Sequence, residues 1–115
     1  MTDDNKKYAI FAFRGEAPCV LHAVLNADDM RKKGYDAILI LEGGSVKIAP
    51  KMINGDFPIP WDEINTFIDC ACLGCSKMFK VDKIIQEAGI RLEGSMKNHV
   101  SIENYINKGY KIIII

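Results

Sequence analysis

The residues with the sharpest chemical potential in this chain are its cysteines, and they are unevenly placed. Cys19 stands alone, whereas Cys70, Cys72 and Cys75 fall within six residues. Cys72-Leu73-Gly74-Cys75 is a C-x-x-C pair, a spacing that brings two thiols within one helical turn of each other when a helix begins there. Free backbone N–H groups and the dipole at a helix start favour an anion, so a lowered pKa is expected for a thiol at such a junction. The thiolate is the nucleophilic form, and the chemistry implied is sulfur transfer or thiol exchange. Inert thiols filling small spaces in a core are the plain alternative.

A second functional set takes Cys70, Cys72 and Cys75 with His22 or His99 as ligands of zinc or an iron–sulfur cluster. Strand alternation argues against it, because residues 70 and 72 share one face while Cys75 lies beyond the turn. Around the thiols stand weaker candidates. His99 follows Lys97-Asn98 and could move a proton at the thiols or face solvent. Arg14 could steady a thiolate or persulfide, or pair with Glu16 on the surface. His22 lies on a polar helix face and reads as solvated. Gly43-Gly44-Ser45 lacks both the dinucleotide fingerprint and the P-loop lysine spacing, so it reads as a tight turn.

These residues need a frame. Segment 8–13 (YAIFAF) is short, apolar and rich in β-formers, as suits a strand buried on both faces of a parallel sheet. Pro18 can open a helix, along which Val20, Val24, Ala27 and Met30 recur at helical spacing until Gly34 stops it. Segment 35–41 (YDAILIL) is the second strand, ending at Glu42-Gly43-Gly44. Segment 45–61 is broken by Pro50, Asn54-Gly55, Pro58 and Pro60, and predicts a short helix and then a loop. A helical turn near Trp61 leads into a third strand that ends at the cysteines. Met78, Phe79, Val81, Ile84, Ile85 and Ala88 predict one helix over 76–88, stopped by Gly89. A fourth strand over 90–94, a short helix from Ser101 to Lys108 and a fifth strand over 110–115 complete the chain.

Strands alternating with helices predict a three-layer α/β/α sandwich on a parallel five-stranded sheet, as one domain over 1–115. In such a sheet every strand-to-helix loop emerges at the carboxyl edge. Arg14, Glu42 and His99 are therefore expected to line one pocket with the cysteine loop. Phe57, Ile59 and Trp61, in the proline-broken segment, are expected to lie exposed and to form a contact between copies.

Composition narrows the setting. Lys plus Arg and Asp plus Glu number 15 each, so no net basic field exists to hold nucleic acid. The apolar runs are far too short to span a membrane, and the polar segment 1–7 does not read as a signal peptide. The expected location is the cytoplasm, where cysteines stay reduced unless they do redox or metal chemistry.

The order YAIFAF, helix, YDAILILEGGSV, irregular middle, CACLGCSKMF, helix, IRLEGS and YKIIII resembles the DsrE/DsrF-like family over nearly the whole chain. The resemblance implies a sulfur carrier or sulfurtransferase-like protein in which a cysteine at a strand end carries a persulfide. That residue corresponds to Cys72, with Cys75 second and Cys70 in the alternative register. It also implies homo-oligomers, commonly trimers or hexamers, working between a sulfur donor and an acceptor protein and needing no small-molecule cofactor or metal. The family's usual Arg-Gly after the cysteines is replaced here by Lys77-Met78-Phe79-Lys80. The competing expectation is a non-catalytic oligomeric binding protein with structural or metal-coordinating cysteines.

Overall fold

Three short apolar segments, KYAIFA, DAILIL and IDCAC, form the middle of the molecule as strands β1 (Lys7–Ala12), β2 (Asp36–Leu41) and β3 (Ile68–Cys72). A computed structural model describes residues 6–115; most of the polar segment 1–7, read above for signal character, lies outside the described residues. With β4 (Leu92–Glu93) and β5 (Lys111–Ile114), the strands make one parallel sheet in the order β4-β3-β2-β1-β5. Six helices accompany it: α1 (Ala17–Lys32), α2 (Ala49–Ile53), α3 (Trp61–Ile64), α4 (Leu73–Met78), α5 (Asp82–Glu87) and α6 (Ile102–Asn107). A 3-10 helix, Gly43–Ile48, precedes α2. The three-layer α/β/α expectation is met.

Strand order decides which face each helix covers. From β1 to β4 the chain moves one way across the sheet, so right-handed crossovers put α1 to α5 on one face. Ile10, Ala12, Leu39, Leu41 and Ala71 point to that face and pack with Val20, Val24, Val46, Met52, Ile64 and Ile85. The step from β4 to β5 runs back across the whole sheet and so crosses on the other face. There Ala9, Phe11, Ile40, Cys70 and Cys72 pack with Tyr105 of α6 and with Val100 just before it. The central strands β1, β2 and β3 thus alternate between two separate apolar clusters, which is why their sequences read as continuous apolar runs.

The first helix ends as its glycine predicts. Gly34 has φ 91°, with Gly34 N–H on Arg31 O at 3.0 Å and Tyr35 N–H on Met30 O at 2.9 Å, the paired bonds of a Schellman stop. The helix expected over 76–88 is instead two helices. The chain makes the same kind of stop at Lys80, φ 59°, with Val81 N–H on Ser76 O at 2.9 Å. The presumed apolar stripe does not hold because Met78, Phe79 and Ile84 stay exposed, while only Ser76 and Ile85 are buried.

The irregular segment also differs from expectation. Ile59 is buried, and Phe57 and Trp61 pack onto the first core. The chain buries Ile59 and covers Phe57 and Trp61 in part, so the exposed apolar cluster expected of this segment is not found. Among the described residues, no helix is long and apolar enough to cross a membrane.

Candidate functional site

The loops after β3 and β4 part at the carboxyl edge, one leading to α4 and α5 on the first face and the other to α6 on the second. A crevice forms where neighbouring strands send their connections to opposite faces, and the cysteines lie in it. Alternation along β3 turns Cys70 and Cys72 toward the second face. Cys75, in the first turn of α4, comes back over the strand end and touches both clusters.

His99 arrives from the loop after β4. Asn98 N–H on Gly94 O at 2.9 Å and His99 N–H on Met96 O at 2.9 Å brace that loop, and Lys97 and Asn98 take φ 50° and 74°. Gly74 N–H on Asn98 O at 2.7 Å ties the loop to the C-x-x-C turn. A Cβ at Gly74 would sit 3.0 Å from Asn98 O and 3.0 Å from His99 Cε1, so a residue without a side chain is what lets the imidazole lie over the turn.

The result is a compact cluster. His99 Nδ1 lies 3.1 Å from Cys72 Sγ and 3.8 Å from Cys75 Sγ, and these ligand atoms all fall within 4.8 Å of one another. The two thiols are not equivalent. Cys72 is 0% exposed, whereas Cys75 is half-buried and, with Glu42, His99, Phe13, Met96 and Ile102, lines a hollow of about 570 Å³.

Electrostatics overturns one expectation. Burial pushes the Cys72 thiol up to about 12, and the neighbouring Cys75 and Glu42 reinforce the rise, while a backbone N–H from Cys75 opposes it. The lowered pKa expected of a strand-to-helix junction is not found at Cys72, because loss of water outweighs a single N–H. Glu42 is also buried, and burial raises its pKa. Val100 N–H on Glu42 Oε1 at 3.3 Å, a hydrogen bond with Cys72 and the nearby His99 work against the rise.

The remaining candidates separate. Cys70 is buried, lies 3.2 Å from the Tyr105 hydroxyl and is pushed up to about 11, chiefly by burial. It belongs with Tyr105, Asp69 and Arg91 and is not part of the hollow's wall. Arg14 does not share the pocket of Glu42 and His99. It is exposed beside Pro18, Cys19, His22 and Ile115 in another hollow, because the loop after β1 turns into α1 at the β5 side of the rim while the thiols occupy the β3–β4 side. Among the described residues, no ion pair joins Arg14 to Glu16. His22 is exposed, as its helical position predicts. The Gly43-Gly44-Ser45 turn opens the 3-10 helix, and buried Ser45 Oγ sits 2.6 Å from Ala12 O and 2.7 Å from Glu42 O, fastening the ends of β1 and β2. The apolar walls at Phe13, Met96 and Ile102 carry no signal in the sequence beyond following strand ends or opening a helix.

Comparison with known proteins places the chain among relatives without assigned roles. It is 30% identical over 99 residues to uncharacterized protein MJ0733 of Methanocaldococcus jannaschii, covering 84% of this chain and 79% of that protein. An uncharacterized protein of Archaeoglobus fulgidus is 42% identical over 50 residues, 44% of this chain and 82% of that one. The fold matches that of BT1422, a conserved protein of unknown function from Bacteroides thetaiotaomicron, with a TM-score of 0.71, 23% identity and 96% of each chain covered. No family model matches the sequence.

Proposed function

The chain belongs to the family of the uncharacterized Methanocaldococcus jannaschii protein, and from the site it carries we propose a sulfur carrier of DsrE/DsrF-like type that accepts a sulfane sulfur as a persulfide on Cys75. The observation that carries this reading is the division of the C-x-x-C pair: Cys75 lines an open hollow, while Cys72 is fully buried behind it on the same imidazole nitrogen. The roles expected from the sequence are thereby exchanged, with Cys75 as acceptor and Cys72 as the resolving thiol.

Loading needs a donor protein that presents a cysteine persulfide. His99 Nδ1 takes the Cys75 thiol proton, and Cys75 Sγ attacks the donor's terminal sulfur. The donor S–S bond breaks, its cysteine leaves as thiolate, and the proton passes to it. Unloading has two routes. An acceptor thiolate can remove the outer sulfur by the same exchange. Alternatively, Cys72, giving its proton to His99 Nδ1 at 3.1 Å, attacks Cys75 Sγ. That step expels hydrosulfide and leaves a Cys72–Cys75 disulfide, the two thiols supplying the two electrons that reduce the sulfur. A dithiol reductant then restores the pair, as expected of a reducing compartment such as the cytoplasm. Oligomeric assembly, implied by the same resemblance, belongs to this proposal.

The test is mass spectrometry of whole protein after incubation with a persulfide donor. Wild type should gain a sulfur that a reductant removes and pass from that form to the Cys72–Cys75 disulfide with release of hydrosulfide; Cys75→Ser should gain none, and Cys72→Ser should load but release no hydrosulfide until a reductant is added. Undiminished loading of Cys75→Ser would sink the assignment.

A further inference from the structure

We propose that Cys72, Cys75 and His99 also form a binding site for a soft divalent cation, Zn²⁺ above all, with a fourth ligand drawn from the hollow beside Cys75. The inference goes beyond the sulfur reading and does not depend on it, because it rests on where three ligand atoms sit.

Tetrahedral zinc with Zn–S of about 2.3 Å and Zn–N of about 2.0–2.1 Å holds two sulfurs about 3.8 Å apart and each sulfur about 3.6 Å from the nitrogen. Here the sulfur-to-nitrogen separations are 3.1 and 3.8 Å, and all three atoms lie within 4.8 Å of one another. One sulfur-to-nitrogen separation is about 0.5 Å short of that geometry and the other about 0.2 Å long, and the two sulfurs need to close by no more than about 1 Å, movements within reach of side-chain torsions. The sequence-based objection to a metal, that Cys75 lies beyond the turn from Cys72, is met by the fold, since the first turn of α4 carries Cys75 back over the strand end. Both sulfurs approach the same ring nitrogen, and the loop that presents it is hydrogen-bonded to the C-x-x-C turn itself. Such fixed presentation is what a metal centre demands of its ligands.

Composition of the set favours zinc. Two thiolates with one imidazole are the ligands of open zinc centres, which keep one position for a water or an exogenous ligand. Two thiolates also neutralise a divalent ion, so the loaded cluster carries no net charge into its buried position. Glu42 stands outside the cluster yet lines the same hollow as Cys75 and His99. It is available to hydrogen-bond whatever fills the fourth position. Cys70 is unsuited to serve, being engaged with the Tyr105 hydroxyl.

The experiment titrates the reduced, chelator-stripped full chain with Co²⁺ and then Zn²⁺. The expected result is one Co²⁺ per chain with a thiolate charge-transfer band and tetrahedral visible absorption, both lost when Zn²⁺ displaces it. Cys72→Ser, Cys75→Ser and His99→Ala should each weaken binding by about 100-fold or more, with folding checked by circular dichroism, and Cys19→Ser should bind as wild type. Absence of the thiolate band in folded wild type overturns the proposal, as does unchanged affinity in folded His99→Ala. Should that variant unfold, X-ray absorption of the zinc-loaded wild type decides: two sulfurs and one nitrogen uphold the site, and an all-oxygen or four-sulfur shell overturns it. Sulfur loading is measured with chelator present, so either proposal can fail while the other stands.

Discussion

In the folded protein Cys75 should react with an alkylating agent far faster than Cys72, although the two are three residues apart. An ordinary thiol near pKa 9 is about one-tenth thiolate at pH 8, whereas one pushed up to about 12 is about one ten-thousandth thiolate. That ratio alone slows Cys72 by about a thousandfold relative to a thiol of ordinary pKa, and its 0% exposure adds to the effect. Cys70, equally buried and raised to about 11, should follow with about a hundredfold deficit. The assay is limited iodoacetamide labelling of reduced, chelator-treated protein at pH 8, with peptide mapping at several times and a parallel sample in denaturant, where all four cysteines should react alike. Labelling that depended on complete unfolding would take Cys70 and Cys72 at one common rate, so unequal rates for these two identify reaction in the folded state. Labelling of native Cys72 within tenfold of Cys75 would refute the assignment of accessible and buried partners.

Four further outcomes follow from the same structure. Cys72 and Cys70 hold their protons in the folded state beyond the ordinary thiol value of 9.0, so stability should be full below about pH 9 and fall by about 1.4 kcal/mol per pH unit for each thiol as pH rises from there; urea unfolding at pH 8 to 11 measures it, and Cys72→Ser should flatten the slope. Glu42 has a raised pKa from burial, so its ionisation opposes folding as pH rises through the carboxylate range; Glu42→Gln should therefore melt higher relative to wild type at pH 8 than at pH 4. Gly74→Ala would press on Asn98 O and His99 Cε1 and should move the imidazole off both sulfurs, seen as a shift of the His99 ring resonances in NMR with the fold otherwise intact. Lys80 holds φ 59° at the end of α4, and Lys80→Gly should relieve that strain for a gain of about 0.5–1 kcal/mol in thermal unfolding.

The central strands are legible because they are buried on both faces and so read as unbroken apolar runs with a glycine-bearing or polar stop, and the edge strand β5 because it keeps the apolar run although it is only partly covered; β1, β2 and β5 fall within a residue or two of the predicted segments. The sequence predicts one helix over 76–88 because its apolar residues satisfy a helical period, yet Ile85 alone of them is buried, and the stop at Lys80 uses a residue that advertises no turn. The thiol site was half legible. Spacing picks out Cys72 and Cys75, and parallel topology brings Glu42 and His99 to them, since all follow strand ends on one edge. It cannot tell which end of that edge a loop occupies, and so Arg14 was wrongly drawn in. Nor does it reveal burial at a junction: Cys72 sits where backbone N–H groups would favour a thiolate, but it is covered by Val100 and the loop bearing His99, and water loss decides the sign.

The burial of Cys72 and Glu42 bears on both proposed uses of the cluster. Cys72 keeps its proton and the Glu42 pKa is raised by burial, so a bare anion is disfavoured, and any reaction that makes a thiolate must move a proton out as the negative charge appears. The ring nitrogen within 3.1 and 3.8 Å of the two sulfurs is placed to take that proton from either thiol. Zinc binding meets the same condition differently, because the cation replaces the thiol protons and holds the two thiolates as a neutral group. Both uses therefore draw on the same three atoms and exclude each other: a metal-loaded cluster has neither a free thiolate for the donor nor a free imidazole nitrogen for the proton.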